Sequence, residues 1–256
     1  MNSFFQYIKN PFQPENWERF TLNTYLNTMG LTYLLFFLAS FVLVPLKMAG
    51  LLPVYHTPKV ISPLIFFAVI VIGPLFEEIL SRLNLKISKF NIAVFLSLLL
   101  TVIAKLTFLQ GIPIYVYLLA IPVFAPIYFI LDRANLPMQR IKAFWKSHFK
   151  FIFHFAAITF GMIHLTNFET IKWWMIAVSP LLAAPYITLG YILGCVRMKH
   201  GFIYGWLIHA SVNSIGVTLA MHKGFLIVLV IVIVLITINY FIHKMKKSTI
   251  DFRTNV

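Results

Sequence analysis

Glu77 and Glu78 stand side by side in the apolar run Gly-Pro-Leu-Phe-Glu-Glu-Ile-Leu-Ser-Arg over residues 73–82, and they are two of only seven acidic residues in the chain. A charged side chain at bilayer depth costs about 2.5 to 3.5 kcal/mol on insertion scales, so such residues are functional or paired. Neighbours on a helix point about 100° apart, so the two glutamates are expected to do different jobs, one facing a cavity and the other touching an adjacent helix. Arg82 follows Glu78 by four residues, within ion-pair reach on one face. A structural Glu-Arg clamp and a functional carboxylate are both open readings of this motif alone.

Two further polar positions lie in apolar runs. His164 closes Phe160-Gly-Met-Ile-His164, and His209-Ala-Ser-Val-Asn213 places a ring and an amide four residues apart on one helical face. A single histidine on an apolar helix is usually a satisfied interhelical hydrogen bond. A carboxylate pair with two histidines and an asparagine can do more. A carboxylate withdrawn from water binds a proton more tightly, which suits a general base, and His or Asn can donate to the oxyanion formed when water attacks an amide carbonyl. The pattern points to peptide-bond hydrolysis. There is no Gly-x-Ser-x-Gly elbow, and the one cysteine, Cys195, reads as a small buried hydrophobe, so direct attack by water is expected over an acyl-enzyme. Glu and His suit zinc, yet neither His-Glu-x-x-His nor its inverse occurs. The expectation is a metal-free site, with a divalent metal such as zinc left open.

These residues must be held by membrane helices. Of 256 residues 60% are hydrophobic and 11% charged, with a mean hydropathy of +0.87, far from the roughly 25% charge of soluble domains. The long apolar runs predict an all-α polytopic bundle of about eight spans: 31–45, 60–82, 90–109, 112–131, 149–165, 171–194, 202–220 and 225–242. Residues 1–30 read as a cytoplasmic leader rather than a cleaved signal peptide, 31–242 as the bundle and 243–256 as a basic cytoplasmic tail. Within the leader, 15–29 reads either as an interfacial helix or as ordinary polar chain.

The excess of 21 Lys and Arg over seven acids gives +14, which fits contact with membrane lipids rather than nucleic acid. With eight spans, 16 of the 21 fall on the side that holds both termini, predicted to be cytoplasmic. Oligomeric state is not legible.

The ordered set Glu77-Glu78-x-x-x-Arg82, Phe160-x-x-x-His164 and His209-x-x-x-Asn213 resembles the CPBP family, the CAAX-protease and bacteriocin-processing (ABI) intramembrane proteases. The resemblance covers about residues 61–220. It implies that Glu77 and His164 activate water, that His209 and Asn213 form an oxyanion hole, and that Glu78, Arg82 and Phe160 support them. It implies a membrane-associated peptide or protein substrate, in a bacterial cytoplasmic membrane on the residue usage of the chain. A non-catalytic immunity or scaffold relative is the alternative, with a proton-coupled transporter behind it. Two apolar segments between Arg82 and Phe160 exceed the family pattern. One tension follows from the boundaries: Glu77 and His164 both fall near C-terminal ends of antiparallel spans. They can share a site only if the second helix continues past Arg82, or the fifth starts after Phe149 and runs beyond Leu165; both shifts are expected.

Overall fold

A computed structural model describes residues 2–41, 43–50, 63–108, 118–133, 138–168 and 173–221. Among them the regular structure is helical throughout: α1 (Asn2–Lys9), α2 (Leu22–Phe41), α3 (Val44–Met48), α4 (Pro63–Phe67), α5 (Gly73–Arg82), α6 (Lys89–Thr107), α7 (Ala120–Arg133), α8 (Met138–Ser147), α9 (Phe149–Ile163), α10 (Trp173–His200) and α11 (Phe202–Met221). A π-helical stretch, Ala68–Ile72, joins α4 to α5; short 3-10 turns at Leu83–Leu85 and His164–Asn167 prolong α5 and α9. Four helical segments, Leu22–Phe41, Lys89–Thr107, Phe149–Asn167 and Trp173–His200, are long and apolar enough to cross a membrane. This is a helical membrane protein. The expected eighth span, 225–242, lies outside the described residues.

The first span differs from its sequence reading. The helix begins at Leu22, not Leu31, and ends at Phe41. The leader's helix is Asn2–Lys9 rather than 15–29. Pro11 and Pro14 remove two amide donors from the intervening segment, which instead crosses the end of α10: Glu18 donates its N–H to the Lys199 carbonyl at 2.7 Å. α1 packs on the bundle through Tyr7, buried with Leu85, Phe149, Phe153 and Met198.

The long helix α10 is the centre, contacting α1, α2, α9 and α11. Its closest partner is α9, and glycines make that approach possible. A Cβ on Gly190 would lie 2.7 Å from the Ala157 carbonyl, and one on Gly161 would lie 2.6 Å from the Ile187 backbone nitrogen. Small residues let helix backbones meet in this way where lipid gives no hydrophobic drive for association.

The two helices between Arg82 and Phe160 that follow the α5 turn, α6 and α7, pack on one another, and α6 packs on α5. Lys89 closes the pair through a 2.9 Å contact with Asp132.

Gly190→Ala is expected to force α9 and α10 apart and to lower stability by about 1 to 3 kcal/mol, read as a fall in Tm in detergent. An unchanged Tm would show that the two backbones have slack.

Candidate active site

The segment that carries Glu77 and Glu78 begins in an irregularity. In the π-helical stretch, Gly73 donates to the Ala68 carbonyl, five residues back. Continued in that register, residue 74 would donate to Val69, but Pro74 has no N–H. Helix α11 donates to two carbonyls of this stretch. Asn213 Nδ2 donates to the Val69 carbonyl at 3.3 Å, and Trp206 Nε1 donates to the Val71 carbonyl at 3.0 Å. The irregular turn thus fixes the register between α5 and α11.

That register brings His209 of α11 beside both glutamates. Glu78 and Arg82 are fully buried, and Arg82 Nη1 donates to Glu78 Oε1. His209 Nδ1 lies 3.0 Å from the same oxygen. A carboxylate paired with arginine accepts, so the His209 proton sits on Nδ1. The Arg82 guanidinium also lies over the Phe160 ring, 4.0 Å from its centroid. Gly205 of α11 faces the same carboxylate: a Cβ there would stand in van der Waals contact, 3.4 Å from Glu78 Oε2.

Glu77 points elsewhere. Its side chain is 42% exposed on one flank, while Oε2 is buried with no hydrogen-bond partner among the described residues. His209 Nε2 lies 3.5 Å from that oxygen and His164 Nε2 lies 3.7 Å from it. His164 donates its Nδ1–H to the Phe160 carbonyl at 2.8 Å, since a carbonyl only accepts. In the neutral rings, both Nε2 atoms therefore present lone pairs to a carboxylate oxygen. Three acceptors converge at separations too long for a direct hydrogen bond. They need a donor between them, and water is the simplest. A cavity of about 190 Å³ adjoins, lined by Glu77, Leu80, Ser81, Thr159, Ile163 and His164 among others. At about 30 Å³ each it has room for several waters.

The structure thus brings together Glu77, Glu78, Arg82, Phe160, His164 and His209. The division of labour expected for adjacent glutamates is observed, with Glu77 on a cavity and Glu78 on a neighbouring helix. Asn213 is held one turn beyond His209 by Val69. The depth tension resolves as follows. The α5 path continues past Arg82 through Leu85, as expected, which sets Glu77 eight residues in from its end; α9 starts at Phe149, so the later start expected for the fifth helix is not seen, while its 3-10 turn carries it beyond Leu165 to Asn167. Glu, His and His are donor types that zinc accepts, but among the described residues no group of three or more His, Cys, Asp or Glu side chains is arranged to hold a metal ion. No step below is routed through one.

Two supporting residues escaped the sequence reading. Arg197, buried in the last turn of α10, donates to the carbonyls of Arg82 (3.4 Å) and Leu83 (3.2 Å), the open end of α5. Tyr186 stacks on the His164 ring with centroids 4.5 Å apart, backed edge-on by Phe36. An arginine in the last turn of a helix is a sign of carbonyl capping, but nothing in the chain says which helix it caps. Nothing in the spacing marked Tyr186.

The chain matches no family model, no curated protein and no solved structure. The CPBP resemblance rests on the motif residues alone.

Two outcomes test this geometry. Asn213→Ala should leave the Val69 carbonyl unpaired and cost about 1 to 3 kcal/mol, and Pro74→Ala, which restores an N–H, should remove much of that cost; additive losses in the double variant would break the argument. Glu78→Gln should leave Arg82 without its counter-charge and cost about 3 to 5 kcal/mol, well above the effect of Glu77→Gln, in thermal unfolding in detergent.

Proposed function

We propose that the chain is an intramembrane endopeptidase of the CPBP type, which hydrolyses a peptide bond in a membrane-associated protein or peptide with water activated by Glu77 and His164. The observation that carries this reading is the unpartnered Glu77 Oε2, faced by two imidazole nitrogens at the edge of a cavity.

A water held between Glu77 Oε2 and His164 Nε2 attacks the carbonyl carbon and gives one proton to Glu77. The new C–O bond places the charge on the former carbonyl oxygen. His209, neutral at rest with its Nδ1–H held by Glu78, takes a second proton from solvent on Nε2 and then donates to that oxyanion, and the remaining N–H of Asn213 is the second donor. As the oxyanion collapses, the C–N bond breaks and the proton on Glu77 passes to the leaving nitrogen. The products are an amine and a carboxylic acid, whose remaining proton passes to His164 Nε2 and then to solvent to leave a carboxylate. Tyr186 holds the His164 ring, and Arg82 and Phe160 hold the Glu78–His209 pair.

In this reading the bundle has about eight spans, with both termini and the most basic loops on the cytoplasmic side of a bacterial membrane. The substrate is drawn from that membrane.

The test is cleavage of a quenched-fluorescent set of lipidated and unlipidated C-terminal peptides by the purified protein in detergent. Glu77→Gln and His164→Ala are each expected to lower hydrolysis by about 10²- to 10⁴-fold with Tm little changed. Activity that survives chelator fits the steps above, and loss restored by zinc would overturn them. Undiminished cleavage in Glu77→Gln overturns the assignment, and full biological function in that variant would favour the non-catalytic immunity or scaffold role.

A further inference from the structure

A second cavity, of about 220 Å³, lies between the N-terminal segment and helices α2 and α10, and it shares no lining residue with the cavity at Glu77. Its wall changes character in one direction along both helices. Thr24 and Thr28 of α2 give way to Leu31, and Lys199 and His200 of α10 give way to Val196 and Ile192. The helices run antiparallel, as the Phe36–Tyr186 contact further along shows, so the two polar ends coincide. The distance from Thr24 to Leu31 is about 10 Å along the helix axis. The space is polar at the mouth and apolar at depth.

The mouth is net cationic. Arg19 and Lys199 line it, with Glu18 on the rim 4.0 Å from the Lys199 ammonium. His200 is anchored, donating its Nδ1–H to the Glu18 carbonyl at 3.1 Å. The same segment is fixed by the Glu18–Lys199 backbone hydrogen bond and by Trp17, which lies against Gly201 and under the Lys86 ammonium. The mouth is therefore built rather than left by a loose chain. It sits where α2 begins and α10 ends, and both are long and apolar enough to span a bilayer.

We infer that this cavity binds a phosphate carried on an apolar tail, the head and first methylenes of an anionic phospholipid. The phosphate pairs with Arg19 and Lys199 and the tail runs along Val196 and Ile192. Two cations and threonine hydroxyls suit a phosphodiester. The apolar depth has no use for a soluble anion. The bound lipid would tie the N-terminal segment to the bundle at the C-terminal end of α10.

Cys195 provides the readout, because it lines this cavity and is the only cysteine in the chain. The full-length protein in detergent is titrated with phosphatidylglycerol, phosphatidylcholine or inorganic phosphate, and alkylation of Cys195 by N-ethylmaleimide is followed. Phosphatidylglycerol is expected to slow alkylation saturably, about tenfold at about ten times its Kd, with little effect of the other two. Arg19→Gln with Lys199→Gln should abolish that protection, whereas Lys142→Gln with Lys146→Gln on the exposed basic face of α8 should keep it. Tm in phosphatidylcholine confirms that both double variants are folded. Equal protection by phosphatidylcholine, protection by phosphate alone, or protection that survives in the first double variant overturns the inference.

Discussion

Glu78 is a carboxylate with no exposure at all inside a membrane bundle, and the surrounding helices are arranged around that charge. Removing such an ion from water costs several kcal/mol, recovered only with good geometry and satisfied hydrogen bonds. Arg82 pairs with it from the same helix, His209 from α11, and the Arg82 guanidinium in turn covers Phe160 of α9. One buried charge thus ties three helices together. Arg197 adds a fourth by donating to the end of α5.

The clamp leaves Glu77 free for another task. Since adjacent helical positions diverge by about 100°, burial of Glu78 against α11 turns Glu77 toward the gap between α5 and α9. The two histidines reach it from different directions, each with Nδ1 fixed: His209 by the buried glutamate and His164 by the Phe160 carbonyl. Fixing one ring nitrogen determines what the other offers. In their neutral forms both then offer lone pairs to the Glu77 oxygen, so the three acceptors need a donor between them. The π-helical stretch helps to set the register, since its Val69 and Val71 carbonyls are met by Asn213 and Trp206 only when α11 sits at one height.

Helix α10 joins the two cavities. Its middle presents Tyr186 to the His164 ring, its glycines admit α9, and its last turn carries Arg197 to α5 and Lys199 and His200 to the N-terminal segment. Pro180 and Pro185 lie inside it, so the helix combines close packing with two missing backbone donors.

Sequence determined the class of the molecule and the set of residues worth watching. Hydropathy over windows of about 20 residues reports what a segment can bury, so the helical membrane character and most apolar segments were legible. Helical spacing reports shared and diverging faces, so the Glu78–Arg82 pair and the differing directions of the two glutamates were legible as well. Both are properties of near neighbours. The first span's start at Leu22 and the placement of the leader's helix at 2–9 were not, because the polar residues that begin α2 are stabilised by packing on α10 rather than by their own hydropathy. The meeting of Glu78 with His209 crosses 131 residues, and that of Arg197 with the end of α5 crosses 115. Only tertiary packing decided them, because the helix-to-helix register depends on which glycines permit close approach and which backbone carbonyls lack a partner.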